Sequence, residues 1–174
     1  MEFDLKKSIE ILSRTPDALD KLLSGLDETW ILSNEGGETW SPFDVMGHLI
    51  YCEQTNWMPR VEIILSDRQD KAFTPFDRFA QFELSKGKNM QQLLDEFKSE
   101  RQKSLGSLKF KNITEEDLDK TGVHPTFGEI TLRQQLSTWT VHDLAHTGQI
   151  VRVMAKQYSE AVGPWKEFLP ILTR

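Results

Sequence analysis

The sequence predicts an all-α protein, a four-helix bundle with a long crossover between its second and third helices. Apolar residues recur at helical spacing in four long stretches, and Ser, Thr or Asn capping signals open three of them. Residues 66–88, between the second and third, hold neither a helical nor an alternating pattern. A connection of that length lets the third helix run parallel to the second, where a short turn would make them antiparallel neighbours.

Residues 4–25 read as a helix broken once. Leu5, Ile9 and Leu12 mark its first apolar face; Thr15-Pro16-Asp17 then predicts an N-cap with proline at the first helical position, and Leu19, Leu22 and Leu23 continue the stripe to a stop at Gly25. Trp30, Ile31 and Leu32 are expected to cap the core, and Asn34-Glu35-Gly36-Gly37 to form a turn. The second helix starts at Ser41-Pro42-Phe43-Asp44, an S-x-x-D capping box, and runs to about Leu65 with a kink near Pro59. Phe73, Phe76, Phe79 and Phe82 in the crossover are expected to pack on the bundle.

Asn89 with Gln92 opens the third helix, whose Met90, Leu93, Leu94, Phe97, Leu105 and Leu108 lie at helical spacing. A short acidic turn from Thr114 to Gly122 and a loop over residues 124–128 follow. Thr131 and Gln134 box the start of a fourth helix reaching about Tyr158, with an apolar tail of Trp165, Phe168, Leu169, Ile171 and Leu172 that must dock beyond Gly163-Pro164.

Composition narrows the function. At 174 residues one domain, 1–174, is expected, large enough to bury roughly 70% of the surface its unfolded chain exposes. No apolar run approaches the ~20 residues that span a bilayer, and the N-terminal segment lacks the apolar core of a secretory signal, so a cytoplasmic location is the expectation. The single cysteine, Cys52, excludes an intramolecular disulfide and a thiolate zinc ribbon. Net charge of −6 without a basic block argues against nucleic acid as a partner. The acidic clusters at Asp17 and Asp20 and from Glu115 to Asp119 read as solvated helix starts.

The residues that carry chemistry are His48, His142 and His146. The last two form an H-x-x-x-H pair, and residues four apart on a helix share a face. A third imidazole from a neighbouring helix would complete three nitrogen ligands and leave a position open, the arrangement of a catalytic rather than a closed structural metal site. Thr138 and Gln149 share that face, which suits a lined cavity better than a dry core. Against this stands the ordinary polar or interfacial role of helix-face histidines. The intervening residues are Asp143-Leu144-Ala145, so the glutamate of the zinc-peptidase H-E-x-x-H signature is missing. No histidine has a glutamate three residues before it, which excludes the di-iron bundle pattern.

Cys52, one turn after His48, is a fourth ligand, a reactive thiol or, by preference, a small buried filler. Glu53 lies about 140° around the helix from His48 and is not expected to be a ligand. His124, before Pro125, reads first as a turn residue that could lie near the mouth of the bundle. Arg152 could reach an anionic group, although a surface ion pair is the commoner fate of such an arginine.

Taken together, the residues resemble the DinB/YfiT-like superfamily of metal-binding four-helix bundles. The resemblance lies in Trp40-Ser41-Pro42-Phe43-Asp44-Val45-Met46-Gly47-His48-Leu49, in His124-Pro125 with Gly128 and Thr131-Leu132-Arg133-Gln134, and most specifically in residues 139–150 around His142 and His146. It implies His48, His142 and His146 as ligands of a divalent metal, zinc or nickel, an up-down-down-up bundle and a homodimer. It also implies a metal-dependent transferase that activates a low-molecular-weight thiol for attack on an electrophilic small molecule. The alternatives are a hydrolase using water activated at the same metal, for which no general base stands out, and a bundle that binds metal or ligand without turnover.

Overall fold

The computed structural model describes residues 2–173. Helix α1 (Leu5–Leu12) begins where the Asp4 carboxylate accepts the Lys7 N–H at 2.9 Å, and its Leu5, Ile9 and Leu12 pack on the core. Helix α2 (Thr15–Leu23) follows after two residues. Thr15 does not cap it, contrary to the T-P-D expectation. Ser13 and Arg14 already have helical backbone, so no extended residue precedes α2 from which a side chain can reach forward. The Thr15 hydroxyl instead donates back to the Ile11 carbonyl. Gly25 takes up the left-handed conformation (φ +74°) expected at the stop. In α3 (Glu28–Leu32) only Ile31 enters the core; Trp30 meets Tyr158 edge-on, and Leu32 is exposed because a helix this short offers the core one face.

The second bundle rod is α4 (Pro42–Cys52), a π-helical turn (Glu53–Trp57) and α5 (Met58–Leu65). The Ser41/Asp44 capping box forms as expected. The distortion predicted at Pro59 takes the form of this π turn. Proline has no N–H to give the preceding turn and its ring crowds that turn, and the widened turn accommodates both effects.

The crossover is more ordered than its sequence pattern suggests. Helix α6 (Ala80–Ser85) lies against α4, and Ala72 bridges to Val123. Phe73 is buried and Phe76 partly so, but Phe79 and Phe82 remain 68% and 40% exposed, so only the first two pack as expected. Helix α7 (Met90–Phe110) opens with the Asn89/Gln92 box and α8 (Glu115–Leu118) with Thr114/Asp117.

A two-stranded hairpin, absent from the sequence reading, joins α8 to the last long helix. Strands β1 (Thr121–His124) and β2 (Gly128–Thr131) pair antiparallel, with Thr121 opposite Thr131 and His124 opposite Gly128. Helix α9 (Leu132–Lys156) then runs the length of the bundle. The apolar tail, in 3₁₀ turns Gly163–Phe168 and Pro170–Leu172, buries Leu172 but leaves Trp165 and Phe168 largely exposed, so it docks less completely than its composition suggests.

Core membership gives the helix directions. One cluster joins Leu12, Trp57, Val61, Ile64, Leu105, Leu108, Leu132 and Leu136; the other joins Leu19, Leu23, Val45, Leu49, Leu93, Phe97 and Ile150. The α1/α2 rod and α9 therefore run from the first cluster to the second, while the α4/α5 rod and α7 run the other way. This is the up-down-down-up bundle, with α4 and α7 parallel because the crossover returns the chain to the starting end.

Candidate metal centre

His48 projects from α4, and His142 and His146 from one face of α9. One ring nitrogen from each lies within 4.8 Å of the other two. The His48 and His142 Nε2 atoms are 3.1 Å apart. Neighbouring nitrogens on one tetrahedral zinc ion with bonds of about 2.0–2.1 Å have nearly this separation. The Gln81 side-chain oxygen, from α6, accepts from His48 Nδ1 at 2.9 Å, and the Gln149 oxygen accepts from His146 Nδ1 at 2.8 Å. These contacts assign the protons to Nδ1 and leave the Nε2 lone pairs facing inward. His142 Nδ1 has no such partner; its ring is held edge-on by Trp57 at 5.0 Å.

Burial is the main reason all three imidazoles titrate low, and neighbouring imidazoles lower His48 and His142 further. His48 is held to about 4 and His142 to about 2; His146 is lowered as well. Three neutral, convergent imidazoles are the protonation state a divalent cation requires, and the donor set fits one.

The histidine cluster opens into a cleft of about 380 Å³. Trp40 walls it, tilted against His48 at 4.8 Å and stacked on His146 at 6.3 Å. Cys52 lies 3.5 Å from His48 Nε2 and 3.9 Å from His142 Nε2, on the face its spacing predicted. Burial pushes its thiol pKa well up, and the nearby Glu53 and Asp143 charges push the same way. As it stands, Cys52 is a protonated wall residue.

His124 reaches the cleft too and also holds its turn. Its Nδ1 accepts the N–H groups of Thr126 and Phe127 at 3.1 and 3.3 Å, and its ring stacks on Phe127. Arg152 faces away, in a bidentate pair with Glu35 at 2.7 Å for both bonds.

Glu53 and Asp143 take no part in the histidine cluster. Both are buried against Arg101, which is 1% exposed. Arg101 Nη1 and Nη2 donate to Asp143, Nε and Nη2 donate to Glu53 Oε1, and Trp139 Nε1 donates to the same oxygen at 3.0 Å. Sequence reading missed Gln81, Arg101, Asn56 and Arg60. The signal available for the last two was a strict four-residue spacing: His48, Cys52, Asn56 and Arg60 all line the cleft.

A bundle of this topology with three imidazoles converging at a cleft belongs to a defined class of helical proteins. The chain belongs to the DinB superfamily, whose sequence pattern matches residues 11–150. It is similar to the uncharacterized protein YuaE of Bacillus subtilis, 26% identical over an alignment of 149 positions that covers 77% of this chain and 89% of the relative. Its fold matches YfiT from Bacillus subtilis with a TM-score of 0.72 at 18% identity, covering 93% of this chain and 94% of that one. YfiT is described as a probable metal-dependent hydrolase with an unusual four-helix bundle topology. Among the described residues no helix is long and apolar enough to cross a membrane.

Proposed function

We propose that the protein is a metal-dependent hydrolase of a small molecule, with His48, His142 and His146 as ligands of zinc or nickel. The observation that carries this reading is the convergence of three neutral imidazoles at the base of an open cleft. The description of YfiT, which shares the fold, supports the same reaction class. A divalent cation held by neutral ligands stays net positive and supplies Lewis acidity, lowering the pKa of a water or thiol it binds. The chain's own part is to orient the ligands through Gln81 and Gln149 and to exclude bulk water from one side with Trp40.

A second reading, thiol transfer to an electrophile, draws on one feature of the cleft: among the described residues no carboxylate lines it. Activating water needs a proton acceptor, whereas a low-molecular-weight thiol, with a pKa of about 8.5, ionises far more readily.

The deciding experiment is elemental analysis of untagged protein beside His48→Ala, His142→Ala and His146→Ala, followed by assays of ester and amide substrates with and without added thiol. Near one metal per chain, lost in each variant, with hydrolysis independent of thiol, is the expected result. Turnover only with thiol would establish the second reading. Absence of metal after purification and after titration would overturn both.

A further inference from the structure

Among the described residues four charged ones other than the histidines are buried: Glu53, Asp143, Arg101 and Arg60. The first three are ion-paired with one another, with Glu53 Oε2 left without a partner. Arg60, 9% exposed, has neither an ion pair nor a hydrogen bond among the described residues. Its guanidinium lies over the Phe73 ring at 5.0 Å and borders the metal-site cleft. The guanidinium nitrogens reach the open cleft rather than a carboxylate of the protein, so an anion entering that cleft meets a partly desolvated cation with its hydrogen bonds unused.

We propose that Arg60 anchors a carboxylate on the small molecule that this cleft takes, holding the opposite end toward the three histidines. For that orientation the proposal rests on the metal-centre reading; for the anion itself it does not. The Phe73 ring beneath Cζ holds the guanidinium in place, and its fork of N–H groups matches a planar carboxylate. One buried positive charge is balanced by one negative charge.

The surroundings agree. One turn before Arg60, the buried Asn56 Oδ1 is an acceptor without a partner, a place for a donor group of the ligand rather than for its carboxylate. Arg78 adds a second cation at the rim, and among the described residues no acidic side chain lines the cleft, although the chain carries a net charge of −6.

Backbone geometry explains how Arg60 reaches the histidines' cleft. Each step of four residues on a regular α-helix turns about 40° past a full circle, so three steps from His48 would carry Arg60 about 120° away. The π turn at Glu53–Trp57 absorbs one extra residue and sets the helix back by about 100°. His48, Cys52, Asn56 and Arg60 therefore share one wall, and the long Arg60 side chain points back along the helix toward Cys52.

The test is calorimetric titration of the full chain with benzoate and with its neutral analogue benzamide, on as-purified protein and on protein stripped with EDTA, the metal content of each sample being measured. Benzoate is expected to bind at least about tenfold tighter than benzamide in both samples, as for a ligand making charged hydrogen bonds. Arg60→Met should abolish that preference, Arg60→Lys should retain part of it, and Arg78→Gln should change it less than about threefold. Equal affinities in the stripped protein, or a preference surviving in folded Arg60→Met, would overturn the proposal.

Should Arg60→Met not fold, 4-bromobenzoate located by anomalous scattering in wild-type crystals decides: a carboxylate on Arg60 supports the assignment, and one elsewhere overturns it. A benzoate preference in a protein that takes up no metal would remove the hydrolase reading and leave the Arg60 assignment standing. Metal at full occupancy without the preference would do the reverse.

Discussion

Arg101 grips Asp143 with two parallel hydrogen bonds, Nη1 to Oδ2 at 2.6 Å and Nη2 to Oδ1 at 2.8 Å, and Asp143 directly follows His142 in the chain. The same guanidinium holds Glu53, the residue directly after Cys52 and the first of the π turn. One side chain from α7 thus ties together the two helices that carry the three histidines. Arg101→Met leaves two carboxylates buried without a cation, and a cost of about 3–5 kcal/mol is expected. Urea unfolding of the variant beside wild type measures it; a loss below about 1 kcal/mol would show that water replaces the guanidinium.

The Gln81 contact with His48 is the corresponding restraint inside the site. Gln81 is 1% exposed, so no solvent stands ready to replace its oxygen as acceptor for His48 Nδ1. Gln81→Leu should lower metal affinity about 10–100-fold while leaving the fold intact. Competition against a chromophoric chelator reads this directly. Gln149→Leu should cost less, because Gln149 is only half-buried and water can take its place beside His146.

Much of the bundle was legible because its signals are local. The Ser41/Asp44, Asn89/Gln92 and Thr131/Gln134 boxes each satisfy orphan backbone donors within four residues, and each appears in the structure where the sequence placed it. His142 and His146 shared a predicted face for the same reason, four residues being about one helical turn. What stayed hidden depends on partners far away in the chain. Arg101 reads as one charge among many on an amphipathic helix until Glu53 and Asp143, 48 and 42 residues away, are brought to it. Helix α6 is too short for periodicity to register, and each strand of the β1/β2 hairpin has four residues, too few to show alternation.

Gly47, immediately before His48, lets α6 approach α4. A Cβ built there would collide with the Ser85 hydroxyl, while the next contacts, Ser85 Cβ at 3.4 Å and the Gln81 carbonyl at 3.7 Å, are tolerable. Alanine in a helix interior is favoured over glycine by about 1 kcal/mol, but the buried Ser85 hydroxyl must turn to another rotamer to admit it, and Gly47→Ala is expected to destabilise by no more than about 1 kcal/mol. The sign should reverse when the hydroxyl is removed: Gly47→Ala added to Ser85→Ala should be neutral or stabilising relative to Ser85→Ala alone. A double-mutant cycle by thermal unfolding tests both halves of the claim.

Glu35 ties the loop before α4 to the last turns of α9, accepting from Arg152 at 2.7 Å and Lys156 at 3.0 Å. Arg152 is the main cause of its pKa falling from the usual carboxylate value of 4.5 to about 2, with Lys156 assisting against partial desolvation. A folded-state pKa below the unfolded one means that folding favours the ionised carboxylate. The stabilisation is therefore complete above about pH 4.5 and disappears as pH falls toward 2. Both cationic partners are about one-third exposed, so solvent screening limits the pair to about 1 kcal/mol. Glu35→Gln should be less stable than wild type by that amount at pH 7, with the two stability curves converging between about pH 4.5 and pH 2. Urea midpoints across that range provide the check, and a gap that stayed constant with pH would assign the loss to packing rather than to charge.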